Sequence, residues 1–281
     1  MDSAAPMDLP LLARLRPEDY AFTLRGWKAP AGEFFGATPA GLGILAERRH
    51  WLDLEPERYL LYTPQADPLI QEAADLAGAW VPGLAPLIDA VRRDPPHLLR
   101  LLAENWEPDI LLLCKDEQGR YTFLGGSLCF PSEWAPDERL GMPLERMHAP
   151  VPGLNDALAE KINILLDRLP PRYAWLRANW GITSSPEANQ HPSRGLRQHL
   201  HPDLPPESVW LRIEHQALLR LPKSEGILFG IRLSVYPMEV VRQERDTARA
   251  LARQLRSLPE DMLRYKHITG LADPLADWLE G

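Results

Sequence analysis

The sequence predicts an α+β protein built on an antiparallel sheet, on three observations. Two short apolar runs flank a polar, glycine-containing turn within residues 109–130, the pattern of a β-hairpin. Three longer strand-like runs follow between residues 173 and 236. Helical periodicity lies mostly outside these runs, before residue 106 and after residue 238, so strands and helices segregate as in α+β folds.

Taken in order, residues 1–60 alternate short apolar stretches with Pro and Gly and read as a wrapping segment. Helices are expected over Pro68–Gly78 and Leu84–Arg93, and from Pro96 through His97–Glu104. Asp109–Cys114 and Tyr121–Phe130 form the hairpin, with Gly119 in the Lys115–Arg120 turn. Pro131–Pro152 is irregular and proline-rich, with His148 near its end. Asn155 then starts a helix carrying Leu158, Ile162, Leu165, Leu166 and Leu169 on one face, stopped by Pro170-Pro171. Strands follow at Tyr173–Ile182, Val209–Leu221 and Ile227–Tyr236, and Met238–Leu258 reads as one long amphipathic C-terminal helix. Five antiparallel-compatible strands with a helix inserted between the second and third are the PAS arrangement. The expected division is a wrapping, helical segment over 1–106 and a PAS-like core with its C-terminal helix over 107–281, together one compact unit.

Composition narrows the function. A net charge of −8 argues against nucleic-acid backbone binding as the main task. No run of 18 uncharged apolar residues occurs, so no membrane span is expected, and Met1–Arg14 lacks the basic start and apolar run of a signal peptide. The expected compartment is the cytoplasm. Two cysteines, Cys114 and Cys129, are too few for an iron–sulfur cluster or a Cys-rich zinc site. They are expected as free thiols, near one another on adjacent strands.

Two short motifs mislead. Gly41-Leu-Gly43-Ile-Leu-Ala46 matches a loose dinucleotide fingerprint, but Phe35–Ala40 before it is no strand, and the fingerprint needs one to aim its turn at a pyrophosphate. His199-Leu-His201-Pro-Asp203 has the donor types of a metal site, yet no further ligands stand at a supporting spacing, and a solvated proline-rich loop explains it. No nucleophile elbow, Walker loop or H-E-x-x-H motif is present.

Polar residues recur where burial is expected. Strand alternation puts Arg177 and Asn179 on one face and Trp180 on the other. It likewise groups Arg212, Glu214, Gln216 and Arg220 against Ile213, His215, Ala217 and Leu219. A solvated face and a polarised pocket both fit this spacing. His148 precedes a rigid Ala-Pro-Val-Pro segment that fixes its direction, and either a metal ligand or a loop-packing histidine suits that position.

Four motifs in order carry a resemblance: Phe130-Pro-Ser-x-Trp134, His148-x-Pro-Val-Pro152, Arg177-x-Asn179-Trp180, and Arg212-x-Glu214-x-Gln216-x-Leu-x-Arg220-Leu-Pro222. Together with Tyr265-Lys266 they make the chain, from about Trp51 to Lys266, resemble the haem-dependent oxidative N-demethylase alpha-subunit family. The resemblance implies a haem-binding PAS fold and NADPH-dependent oxidative removal of a methyl group from a small secondary amine such as dimethylamine. Electrons are then expected from partner subunits that carry FMN, a 2Fe-2S centre and tetrahydrofolate. It implies His148 as the iron ligand of haem b, with Trp180, Asn179 and Gln216 around the cofactor. Arg212, Arg220 or Arg177 would stabilise charge on dioxygen, and Glu214 would hold an ammonium group. His215 departs from the family pattern, which has arginine there. Two rival expectations are a haem-based PAS gas or redox sensor, whose long C-terminal helix would transmit the signal, and a ligand-binding pseudoenzyme that has lost haem.

Overall fold

In the computed structural model, which describes residues 18–39, 41–196 and 200–281, the chain joins the sheet at once. The N-terminal part runs through β1 (Trp27–Pro30), α1 (Ala31–Phe35), α2 (Gly41–Leu54), α3 (Pro56–Tyr59), β2 (Leu60–Tyr62), α4 (Asp67–Trp80), α5 (Leu84–Val91) and α6 (Pro95–Asn105). Asp94 caps α6 by accepting from the His97 amide at 3.2 Å, and Pro95 takes the first turn, where its missing N–H is harmless. The hairpin β3 (Asp109–Lys115) and β4 (Tyr121–Ser127) follows, then α7 (Leu144–His148) and α8 (Leu154–Asp167). The meander β5 (Tyr173–Thr183), β6 (Trp210–Leu221) and β7 (Gly226–Pro237) leads to α9 (Met238–Gln243), α10 (Arg245–Ser257), α11 (Glu260–Tyr265) and α12 (Ala272–Glu280).

All the strands pair antiparallel in one sheet, in the order β1-β5-β6-β7-β3-β4-β2. The sheet therefore has seven strands among the described residues rather than the expected five. The two extra strands come from the N-terminal segment. β1 and β2 are four and three residues long, too short to show alternation, and β1 ends in proline. They take up positions beside β5 and β4, shielding edges that would otherwise offer unpaired backbone groups.

The expected long C-terminal helix is two helices. Glu244 leaves helical geometry (φ −92°, ψ 86°), and its carbonyl accepts from the Ala248 amide at 2.8 Å to start α10. The break lets Met238 and Val241 of α9 and Ala248, Leu251 and Leu255 of α10 pack into one core with Leu211 and Ile213 of β6.

One sheet face is covered by two helix groups. Leu69 and Ile70 of α4 and Leu98, Leu99 and Leu102 of α6 pack on Ile110, Ala174, Ala217, Leu219 and Leu228. α9, α10 and α12 cover the far half, around Ile182, Leu211 and Ile213. Each fully buried leucine of this kind stabilises by about 1.5–3 kcal/mol. The opposite face meets α8, whose Leu166, together with Leu169 just beyond it, packs with Leu111, Phe123 and Ile227. The N-terminal half of α8 behaves differently. Leu154 and Ile162 continue the apolar stripe but stay half-buried, because a cavity separates this half of the helix from the sheet.

The cysteines are both free but not neighbours: Cys114 pairs with Thr122 near the hairpin turn, whereas Cys129 lies past the other end of β4. The hairpin separates them because the paired register places Ser127 opposite Ile110, four residues before Cys114.

Candidate functional site

The cavity has a volume of about 820 Å³, within the usual range for small-molecule and cofactor sites. Its sheet wall carries Leu113, Arg177, Asn179, Gln216, Leu218 and Phe229. Its helix wall carries Leu144, His148, Val151, Leu154, Leu158, Ile162, Leu165 and Leu166. β1 pairs only with residues 173–176 of β5, so the cavity reaches round the remaining edge of β5 to Trp180, Gln254, Met262, Tyr265 and Lys266. The third wall is residues 18–26, an extended arm. It is pinned at one end by Tyr20 N–H to Ser257 Oγ (2.7 Å) and by the Arg253–Asp19 ion pair (2.7 Å). At the other end Gly26 passes so close to β5 that a Cβ would lie 2.4 Å from the Leu176 carbonyl oxygen.

His148 is the last residue of α7 and lines this cavity. Its ring makes no hydrogen bond among the described residues. Burial first, and then the nearby Arg177 guanidinium, hold its pKa below the ordinary 6.5, while Glu145 opposes them. The imidazole is thus neutral at neutral pH, the form that ligates metals. Lys266 supplies a second cation. Its Nζ donates to the Trp180 carbonyl at 2.8 Å and lies 4.7 Å over the Trp180 ring. Removal from water lowers its pKa to about 8 against the pull of Glu214 and Glu133. Trp180 is held in turn by Nε1–H to Gln254 Oε1 at 2.8 Å.

The β5–β6 register places Arg177 opposite Gln216, Asn179 opposite Glu214 and Gly181 opposite Arg212, all on the cavity-side face. Five of the residues singled out in the sequence converge on the cavity: His148, Arg177, Asn179, Trp180 and Gln216. Arg212, Glu214 and Arg220 do not line it. Arg212 is buried, donating through Nε to Ser132 Oγ (2.7 Å), and through its terminal nitrogens to the carbonyls of Phe130 (2.8 Å), Pro131 (3.2 Å) and Glu187 (3.3 Å). Desolvation lowers its pKa to about 10, and Glu214 opposes the shift. Its geometry is that of a clamp on the 130–132 turn. Glu214 sits behind the wall, accepting from Ser132 Oγ–H and from Gln216 Nε2 (2.9 Å). Arg220 lies further along β6, 3.5 Å from the Tyr121 hydroxyl, which donates to Asp167 at 2.8 Å. His215 points to the opposite face and contacts Ser234 Oγ at 3.1 Å, so the departure there leaves the cavity lining intact.

Sequence reasoning left out Ser132, although it stands in the Phe130-Pro-Ser motif, and gave Lys266 no role. The arm falls within the segment expected to wrap the fold, but nothing in its sequence marked it as a cavity wall, since an extended strap has neither period. The glycine motif at Gly41 lies inside α2, and its real constraint is packing: a Cβ on Gly41 would fall 1.8 Å from Glu107 Oε1, which accepts from the Thr38 amide at 2.6 Å. His199 of the histidine cluster lies outside the described residues. Among the described residues no group of three or more His, Cys, Asp or Glu could hold a metal ion. No helix among them is long and apolar enough to cross a membrane.

The donor set and walls fit a haem. One neutral histidine with no hydrogen-bond partner among the described residues, an apolar helix wall facing Leu113, Leu218 and Phe229 of the sheet, and the cations Arg177 and Lys266 match the demands of a planar, apolar macrocycle with a single protein ligand and an anionic rim. An antiparallel sheet and a helix held apart by such a slot define a pocket protein. The model of the family described as "Haem-dependent oxidative N-demethylase, alpha subunit-like" matches residues 83–276, and the chain belongs to that family.

Proposed function

We propose that this chain is the haem-carrying subunit of an oxidative N-demethylase acting on a small secondary amine, with haem b held in the cavity by His148. The observation that carries the reading is the His148 ring, neutral and free of protein hydrogen bonds among the described residues, on the wall of an apolar slot of about 820 Å³. The family's description, which names haem, oxidative N-demethylation and an alpha subunit, supports it. So does the inserted α7–α8 segment between β4 and β5, the feature that suggests a PAS-like core.

When bound, the haem supplies the oxidation chemistry, and the protein supplies orientation and electrostatics. His148 ligates the iron. Burial, and then Arg177, keep His148 unprotonated, and Arg177 and Lys266 would offset the negative charge of the haem rim. Leu154, Leu158, Ile162 and Leu165 on one side and Leu218 and Phe229 on the other exclude water from the slot. Asn179, Trp180 and Gln216 define its polar end, with the Glu214 carboxylate behind Gln216 as a negative charge on the side of an ammonium ligand. The family resemblance implies that electrons from NADPH arrive through partner subunits carrying FMN, 2Fe-2S and tetrahydrofolate, and a chain with two cysteines, too few for a centre of four thiolates, agrees with it.

The test is an absorption spectrum of the purified protein after haem reconstitution, with and without dimethylamine, beside a His148→Ala variant. Stoichiometric uptake lost in the variant and a Soret band that shifts with the amine are expected. Full uptake by His148→Ala overturns the ligand. A Soret band indifferent to amines points to a sensor, and no uptake at all leaves a haem-free binding module.

A further inference from the structure

The polar side chains behind the cavity wall form a chain whose proton positions are fixed by chemistry. Arg212 can only donate, so Ser132 Oγ, 2.7 Å from its Nε, must accept. The one hydroxyl proton of Ser132 then goes to its other partner, Glu214 Oε1. The Glu214 carboxylate accepts at its second oxygen too, from a carboxamide at 2.9 Å. Only the nitrogen of an amide can donate there, so Gln216 turns Nε2 toward Glu214 and Oε1 away. Gln216 lines the cavity, and its Oε1 has no partner among the described residues.

We infer that Gln216 is a specificity-determining residue that presents a hydrogen-bond acceptor to the cavity, and that Ser132 is the positioning residue that fixes it so through Glu214. A ligand carrying an N–H or O–H donor is thereby favoured over one of equal charge without a donor. The inference deepens the function proposed above, since it concerns the same cavity, but it uses no property of the haem. The simpler alternative is that the chain only ties the 130–132 turn to β6. That alternative needs Arg212 and Ser132 alone, and it accounts for neither the orientation of Gln216 nor its place on the wall.

The experiment compares dimethylammonium with tetramethylammonium, two cations of the same charge of which only the first has N–H donors. Binding is measured by calorimetry on the haem-reconstituted protein, and the readout is the ratio of the two affinities. Wild type should prefer dimethylammonium by about tenfold or more, the scale of one hydrogen bond to a charged donor. Gln216→Met, of similar length but without the acceptor, should bring the ratio severalfold toward one. Ser132→Ala should do the same at a distance from the ligand, and Ser132→Thr, which keeps the hydroxyl, should restore the preference. Because tetramethylammonium is also larger, the change of ratio between variants decides, rather than its wild-type value alone. An unchanged ratio in both Gln216→Met and Ser132→Ala overturns the inference, as does failure of dimethylammonium to bind wild type. Failure of the haem reading shows separately, as absence of the Soret band, and calorimetry on the unreconstituted protein then still reads the ratio.

Discussion

Arg48 Nη2 lies 3.1 Å from Asp109 Oδ1, and both side chains are shut away from solvent, at 1% and 3% exposure. The pair joins α2 to the start of β3. Arg48 also donates to the carbonyls of Trp106 (2.6 Å), Glu107 (2.6 Å) and Pro108 (3.0 Å). Asp109 accepts from the amides of Cys129 and Phe130, each at 3.0 Å. The next carbonyls along, those of Phe130 and Pro131, accept from Arg212. Two buried arginines on opposite sides of one turn therefore fix the segment that carries Ser132, and through it the polar end of the cavity.

Removing one partner strands the other charge in a dry interior. Arg48→Met should cost about 3–5 kcal/mol, read as a lower urea midpoint. Arg48→Met combined with Asp109→Leu should recover part of that loss, since no buried charge is then left unpaired. A combined loss equal to the sum of the two single losses would show that the pair is not coupled.

Gly126 meets a harder limit. At φ +153° on β4 it lies where a Cβ would fall 2.1 Å from the Ile110 carbonyl oxygen and 3.0 Å from the Leu111 Cα. Both obstacles are backbone of the paired strand and cannot swing aside. Gly126→Ala should lower stability by several kcal/mol, on the order of 3 or more. Gly119→Ala, at φ +76° in the hairpin turn with nothing within 4 Å of the added atom, should cost only about 1 kcal/mol. Thermal unfolding of the two variants side by side checks the contrast.

These two sites also mark what was legible in the sequence. The hairpin, α8 and the strands β5, β6 and β7 stand within a few residues of expectation, because each buries a periodic apolar face over many residues. β1 and β2 were invisible because strands of four and three residues carry almost no period, and only the pairing with β5 and β4 makes them strands. The break at Glu244 was hidden for the opposite reason: the apolar spacing of α9 and α10 runs through it without a proline or glycine. At the site, alternation grouped Arg177 with Asn179, and separately Gln216 with Arg212, Glu214 and Arg220; the register then sets the two groups opposite one another. Alternation could not tell that Arg212 turns to the 130–132 turn while Gln216 faces the cavity, since that depends on a loop eighty residues away.

His148 should titrate below its ordinary value of 6.5 in the haem-free protein, because burial and Arg177 both disfavour the imidazolium. Its folded pKa being the lower one, His148 contributes stability above pH 6.5 that is lost as pH falls through the folded value. Proton NMR of the imidazole reads the pKa directly. Arg177→Met should move it upward by removing the second of the two causes. A His148 titration that stays put in Arg177→Met would mean that the guanidinium lies too far from the ring to govern its protonation.

Lys266 provides a pH signature in the alkaline range. Its ammonium, 2.8 Å from the Trp180 carbonyl, titrates near 8, against 10.5 for a lysine in water. Between those values the unfolded chain holds the proton more tightly than the folded one, so wild-type stability should gain with rising pH from this group. The gain is complete above 10.5 and is lost as pH falls through 8. Lys266→Met removes the titration and keeps most of the apolar stem against Trp180. The difference in unfolding free energy between wild type and variant should therefore shift by about 1–3 kcal/mol in favour of wild type between pH 8 and 10.5. Other groups titrate in that range, but they do so in both proteins and cancel in the difference. A difference flat across the window would place the Lys266 ammonium in contact with water, and would leave Arg177 as the cation that governs the charge of the cavity.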